Sequence, residues 1–130
     1  MHTEIQTKWI DALLSGEYEQ AKFSLKSEEG FCCLGVLCDL YLKEHNEEWT
    51  SPIPAEDQDC AYPSNPNVFN IEGETGGLPL KVMRWAGLES SNPIVRQEYR
   101  GYNKASLAVL NDSSIEENTF EKIAELVKTL

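Results

Sequence analysis

The chain is poor in positive charge. Eleven lysines and arginines stand against 22 aspartates and glutamates, leaving a formal net charge of −11 at pH 7. Such a surface is repelled by phosphate backbones unless its few bases cluster, so direct nucleic-acid binding is not expected. Histidine is scarcer still. His2 and His45 are the only two, and neither stands in a metal-ligand or Cys-His pattern. No Gly-rich phosphate loop, Gly-x-Ser-x-Gly or His-Glu-x-x-His motif occurs. The acids of "AEDQDC" lack the mid-loop glycine and closing glutamate of a calcium loop. No cofactor or metal is expected from these patterns. No apolar run is long enough to span a bilayer, and Glu4 interrupts "MHTEIQTKWIDALL" before any signal-like apolar segment. The expectation is a cytoplasmic address and no membrane association. Internal repeats and low-complexity tracts are absent as well.

What is present points to a globular fold. The 130 residues are 41% hydrophobic and include three tryptophans. That length suits one domain, 1–130, able to bury a core without staples. "TEIQTKWIDALLSG" reads as a helix capped by Thr3, with an apolar stripe of Ile5, Trp9 and Leu13, stopped at Ser15-Gly16. Phe23 and Leu25 alternate with polar residues, which predicts a short strand ended by a turn at Glu28-Glu29-Gly30. "LPLKVMRWAGL" reads as a compact helix, with Pro79 in its first turn and Gly87 just past its end. A hairpin is expected through "IVRQEYRGY" and a short helix at "NKASLAVLND". Asn118 followed by Glu121 predicts a capping box for the last helix. Residues 46–77, with four prolines and a closing Gly76-Gly77, read as a long acidic connection in which "NVFNIEG" supplies a strand. The fold class expected is α+β, predominantly helical, with about five helices and one or two short β-hairpins.

The run "GFCCLGVLCDLYL" places three of the four cysteines within seven residues. Its apolar residues recur at three and four positions, predicting a central buried helix from about Phe31 to Glu44. Gly35 costs roughly 1 kcal/mol there relative to alanine, and is best explained by the close approach of another backbone or a ligand. Adjacent cysteines on a helix point about 100° apart, which suits neither a shared metal ion nor a mutual disulfide. Cys32, near a helix N-terminus, could be an activated nucleophile, but no helper base is recognisable. Small buried hydrophobes are the simpler reading of these thiols. Asp39 interrupts the apolar helix and is expected to cap a neighbouring segment or to pair with a base such as Arg84 or Lys22.

Charge is segregated along the chain. Residues 44–74 hold eight acids and no lysine or arginine, whereas residues 79–104 hold five bases against two acids. Trp9, Tyr18, Trp85, Tyr99 and Tyr102 are interleaved with Lys8, Lys22, Lys26, Arg84, Arg96, Arg100 and Lys104. Such residues stack a nucleobase and pair its phosphate, and equally make ordinary surfaces whose long stems cover apolar area.

As a set, "KWIDALLSGEYEQ", "FCCLGVLCDLY", "LPLKVMRWAGL", "LAVLND" and "TFEKIAELV" resemble a family of small uncharacterised bacteriophage-encoded proteins. That family shares a Phe-Cys-Cys-Leu-Gly-Val core helix, a Leu-Pro helix ending in Trp-x-Gly-Leu, and a Leu-Asn-Asp box. The chain departs from it where Glu17 and Glu19 replace a basic run after the first helix. The resemblance implies an accessory role in an infected bacterial host. By analogy of class it suggests a non-enzymatic anti-defence binder that sequesters an anionic, nucleotide-like immune signal. The ligand-binding candidates are Lys81, Arg84, Trp85, Arg96, Tyr99, Arg100, Tyr102 and Lys104. The alternatives are an acidic inhibitor of a host protein and a small cysteine-dependent hydrolase. A homo-oligomer is compatible with each.

Overall fold

The computed structural model describes residues 1–50, 68–113 and 118–130. Among these lie five helices and two antiparallel strand pairs. They run α1 (Thr3–Leu14), β1 (Lys26–Ser27), β2 (Gly30–Phe31), α2 (Cys33–Glu44), α3 (Leu80–Ala86), β3 (Ile94–Val95), β4 (Ala105–Ser106), α4 (Leu107–Asp112) and α5 (Phe120–Val127). The mainly helical α+β class is as expected.

Helix α2 is the axis of the core. Every residue from Cys33 to Asp39 is buried, so the first half of the helix, Cys33 to Cys38, is apolar on all sides because it is enclosed there. It packs against α1, α3 and α4, while α5 closes over α1 and α4. Ile5, Trp9 and Leu13 form the inward stripe of α1, and the Trp9 indole donates to the Cys33 carbonyl at 3.0 Å. The cap of α1 is His2 rather than Thr3. The His2 amide bonds the Ala86 carbonyl at 2.9 Å, so the chain enters α1 already docked on α3. Gly16, with φ of 77°, ends the helix region.

Helix α2 begins at Cys33, two residues later than expected, because Phe31 is drawn into β2. There it pairs with Lys26, and its amide donates to the Glu19 carbonyl at 2.8 Å. The thiol sulfur of Cys32 takes the N-cap role, accepting from the Gly35 amide at 3.4 Å. Gly35 meets the close approach its sequence position implied. A methyl group on it would collide with the backbone carbonyl of Leu25, which accepts from the Cys32 amide at 3.1 Å.

The strand expected at Phe23 and Leu25 is displaced to Lys26–Ser27. Phe23 instead adopts φ of 72° and is 79% exposed, while Leu25 is fully buried. The cause is distant in sequence: the Asp112 carboxylate accepts from the Phe23 amide at 2.9 Å. Of the 46–77 connection, residues 51–67 lie outside the described residues. In "NVFNIEG" there are isolated bridges at Val68, Asn70 and Ile71 in place of the expected strand. The capping-box expectation at Asn118 is also corrected. Thr119 caps α5, accepting from the Lys122 amide, while the Asn118 side chain donates to the Ser113 hydroxyl at 2.8 Å.

Candidate functional site

A hairpin forms but is longer than expected: Ala105–Ser106, in the segment read as helix, is its second strand, and the helix starts only at Leu107. This hairpin carries most of the candidate residues. Ile94 pairs with Ser106 and Val95 with Ala105. Tyr99 and Tyr102 exchange backbone bonds of 2.8 and 3.0 Å around a two-residue turn, Arg100-Gly101. Both turn residues have positive φ, 50° and 86°, the mirror-image geometry that matches strand twist. Glycine suits such a turn. Arginine does not, because its Cβ crowds the carbonyl in the left-handed region, at a cost of about 1–2 kcal/mol.

Along the hairpin, Arg96, Gln97, Glu98, Asn103 and Lys104 line an open cleft of about 520 Å³. The Arg100 guanidinium lies 5.3 Å from the Tyr99 ring centre, and Tyr102 is 73% exposed. Among the described residues, no carboxylate lies within ion-pair distance of Arg96, Arg100 or Lys104. Among the described residues, Glu98 is the one acid on the cleft wall.

The other three candidates sit elsewhere. Lys81 pairs with Glu72 at 2.6 Å and with Glu47 at 4.0 Å. It belongs to a second cleft of about 400 Å³, lined also by Leu42, Glu48, Thr50 and Ile71. Trp85 packs edge-on to Tyr41, with ring centres 5.4 Å apart, and Tyr41 in turn stacks on His45 at 4.1 Å. Its ring is therefore occupied within the fold. Arg84 is exposed near the end of α3, where its carbonyl receives the Gly87 amide.

A family model, Domain of unknown function (DUF8296), matches residues 1–130. The chain belongs to the DUF8296 family. Comparison with curated proteins and with solved structures gives no significant match.

In this DUF8296 chain the cysteine run lies in the wall of the core. Cys32, Cys33 and Cys38 are free and buried. Burial pushes the Cys32 thiol up to about 11, against the smaller opposing pull of the Gly35 amide. It raises Cys33 and Cys38 as well. The expected lowering by the helix N-terminus is thus outweighed by desolvation, which disfavours a thiolate in any apolar site. Cys60 lies outside the described residues.

Asp39 pairs with neither Arg84 nor Lys22. Its carboxylate accepts from the Tyr18 hydroxyl at 2.7 Å and the Trp49 indole at 3.0 Å, and pairs with Lys43 at 3.1 Å. Burial pushes its pKa up, but these three donors outweigh burial and hold it below the usual carboxylate value. The partner on its own helix, Lys43 at i+4, was available to sequence reasoning as a helical neighbour.

Two polar residues that tie the fold together escaped sequence reasoning. Asn111 is buried, and its side chain accepts from the Cys33 amide at 3.1 Å and from Gln20 at 3.0 Å. It donates to the Ala21 carbonyl at 2.8 Å and to Asp112 at 3.1 Å. Gln20 carries the chain of bonds onward to the Asn118 carbonyl and the Phe120 amide. The Leu-Asn-Asp box is therefore a latch joining α2, the 20–23 segment and α5. Among the described residues no helix is long and apolar enough to cross a membrane.

Proposed function

We propose that this DUF8296 chain is a non-enzymatic binder of an anionic, nucleotide-like small molecule, held at the 94–106 hairpin. In this reading the chain is a phage accessory protein. It sequesters a nucleotide immune signal in the cytoplasm of the infected bacterial host. The observation that carries the binding site is Arg100, a cation placed at a turn position that penalises its backbone, with no carboxylate partner among the described residues. Arg96 and Lys104 would pair phosphate oxygens from the cleft wall, and the exposed Tyr102 ring would stack a base. Against a net charge of −11, these cations are a local attraction for an anion in a chain that otherwise repels it. The proposed site narrows to Arg96, Tyr99, Arg100, Tyr102 and Lys104. Lys81 and Trp85 leave it because Glu72 and Tyr41 already engage them, and Arg84 because it stands on α3 rather than on the hairpin.

The test is calorimetric titration with nucleotides purified from infected, defence-active cells. Wild-type protein is expected to bind, and denaturation to release the ligand chemically unchanged. The triple variant R96E/R100E/K104E is expected to lose affinity at least 100-fold, which is about 2.7 kcal/mol. Undiminished binding by that variant would remove the site. Release of an altered ligand would turn the reading towards an enzyme.

A second reading is favoured by the other cleft, where, among the described residues, Glu47, Glu48 and Glu72 surround the one base, Lys81. Such a face would suit a basic patch on a host protein. Salt-sensitive capture of a host protein by wild type but not by E47K/E48K would support it.

A further inference from the structure

Three aromatic rings converge on one ammonium group outside the hairpin. The Lys26 Nζ lies 4.7 Å from the ring centre of Phe69, 5.3 Å from Phe31 and 5.7 Å from Trp49. The rings come from three separate segments, and each is fixed without help from the ammonium. Phe31 is held in β2, with Tyr18 edge-on to it at 5.0 Å. Trp49 is oriented by its indole bond to Asp39, and the Phe69 amide bonds the backbone carbonyl of Lys26 at 3.0 Å. Removing the Lys26 side chain therefore leaves the walls standing. All four residues are half-buried, so solvent reaches part of each of them.

Aromatic faces carry negative potential and attract cations, most effectively those that shed water readily. A lysine ammonium is compact and strongly hydrated, and rings replace its water shell poorly. A methylated ammonium fits such a box better. We propose that Phe31, Trp49 and Phe69 form a binding site for an organic cation of the quaternary-ammonium class, with Lys26 as a resident occupant that such a ligand displaces. The site is independent of the anion-binding hairpin, since it shares no residue with it.

The probe is tetramethylammonium chloride, followed by NMR on the full chain, with sodium chloride at equal ionic strength as the control. In K26A, the Trp49 indole resonance is expected to shift saturably. The apparent affinity should be at least tenfold higher than in wild type. Adding F69A to K26A should abolish the shift. A second measurement does not depend on the variant's folding. In wild type, the Lys26 ε-methylene resonance, displaced by ring currents, should move towards its free position with tetramethylammonium and not with sodium. If neither Trp49 in K26A nor Lys26 in wild type responds, or if sodium produces the same shifts, the proposal is overturned.

Discussion

Replacing Gly35 with alanine sets two effects of opposite sign against each other. Alanine favours a helix over glycine by about 1 kcal/mol, so on propensity alone the variant gains stability. The tertiary contact opposes this. The added methyl would run into the Leu25 carbonyl, which is backbone and has no rotamer to escape through. Leu25 is held from both sides, its amide by the Thr75 carbonyl at 2.6 Å and its carbonyl by the Cys32 amide at 3.1 Å. Relief requires α2 to move off this segment. That breaks the Cys32–Leu25 bond in a buried place, at about 1–3 kcal/mol. It also loosens packing around the fully buried Leu25, at about 1–3 kcal/mol more. The net is a loss of about 3 kcal/mol. With a urea dependence of about 2 kcal/mol per molar, the unfolding midpoint should fall by about 1.5 M at unchanged slope. Gly76 is the control. A methyl group there would have no atom within 4 Å and its φ is not positive, so G76A should stay within about 0.5 kcal/mol of wild type. A G35A protein as stable as wild type would refute the account of why glycine stands there.

Asn111→Ala removes all four bonds of the latch and strands the Cys33 amide and Ala21 carbonyl in the core; it should cost about 3–4 kcal/mol in chemical denaturation. The Asp39 cluster predicts a pH window. The Asp39 pKa is lowered on folding, so its contribution is present above the unfolded value near 3.8 and is lost as pH falls through the lower folded value. The stability advantage of wild type over D39N should therefore be full at neutral pH and shrink below about pH 4. At the other end, Tyr18 is raised by burial and by Asp39, and Lys43 by its bonds to Tyr18 and Asp39, so their contribution should fade as pH climbs above 10. Thiol accessibility gives a third check, made in a C60S background. At pH 8 a thiol near 11 is thiolate in only about one molecule per thousand, so native protein should react slowly with a disulfide reagent and denatured protein should release three thiols. Rapid native labelling of Cys32 would restore the nucleophile reading.

The parts of the fold legible in the sequence are those set by neighbours a few residues apart. The Ile5-Trp9-Leu13 stripe and the enclosed cysteine helix follow from local periodicity, and the structure has both; the hairpin expected at residues 94–102 is there too, but extends to Ser106 into a segment read as helix. Gly35 was legible for a different reason, because a helix-weakening residue in a core helix demands an external cause. What could not be read depends on partners far along the chain. Phe23 leaves the strand conformation because of Asp112, 89 residues away, and no pattern around Phe23 announces it. The donors of Asp39 straddle it by 21 and 10 residues, so charge matching with Arg84 or Lys22 named the wrong partners. In the candidate site, counting bases placed Lys81 with Arg96 and Lys104. Only the folded chain reveals that Glu72 and Glu47 neutralise it.

The two charged turns make the sharpest separation between stability and binding. Glu72-Gly73 and Arg100-Gly101 share one geometry, with φ of 54° and 82° in the first and 50° and 86° in the second. Each puts a charged residue where glycine would relieve strain. For Glu72 the reason is visible, since Lys81 lies 2.6 Å from its carboxylate. E72G should therefore trade relief of strain against a lost ion pair, with little net change. Among the described residues, Arg100 lies over the Tyr99 ring and has no carboxylate partner. R100G relieves about 1–2 kcal/mol of left-handed strain. Against this stands about 0.4–1 kcal/mol of added unfolded-state entropy. The net is a gain of about 0.5–1 kcal/mol in stability, read as a small rise in denaturation midpoint. If Arg100 is kept for an anion, the same variant must bind more weakly, by about tenfold for one lost charge-assisted bond. A protein that becomes more stable and binds less well is the signature of a residue retained for function against the preference of its backbone. An R100G protein that is less stable than wild type would show that the arginine serves the fold, and the case for the hairpin as a binding site would then lose its main support.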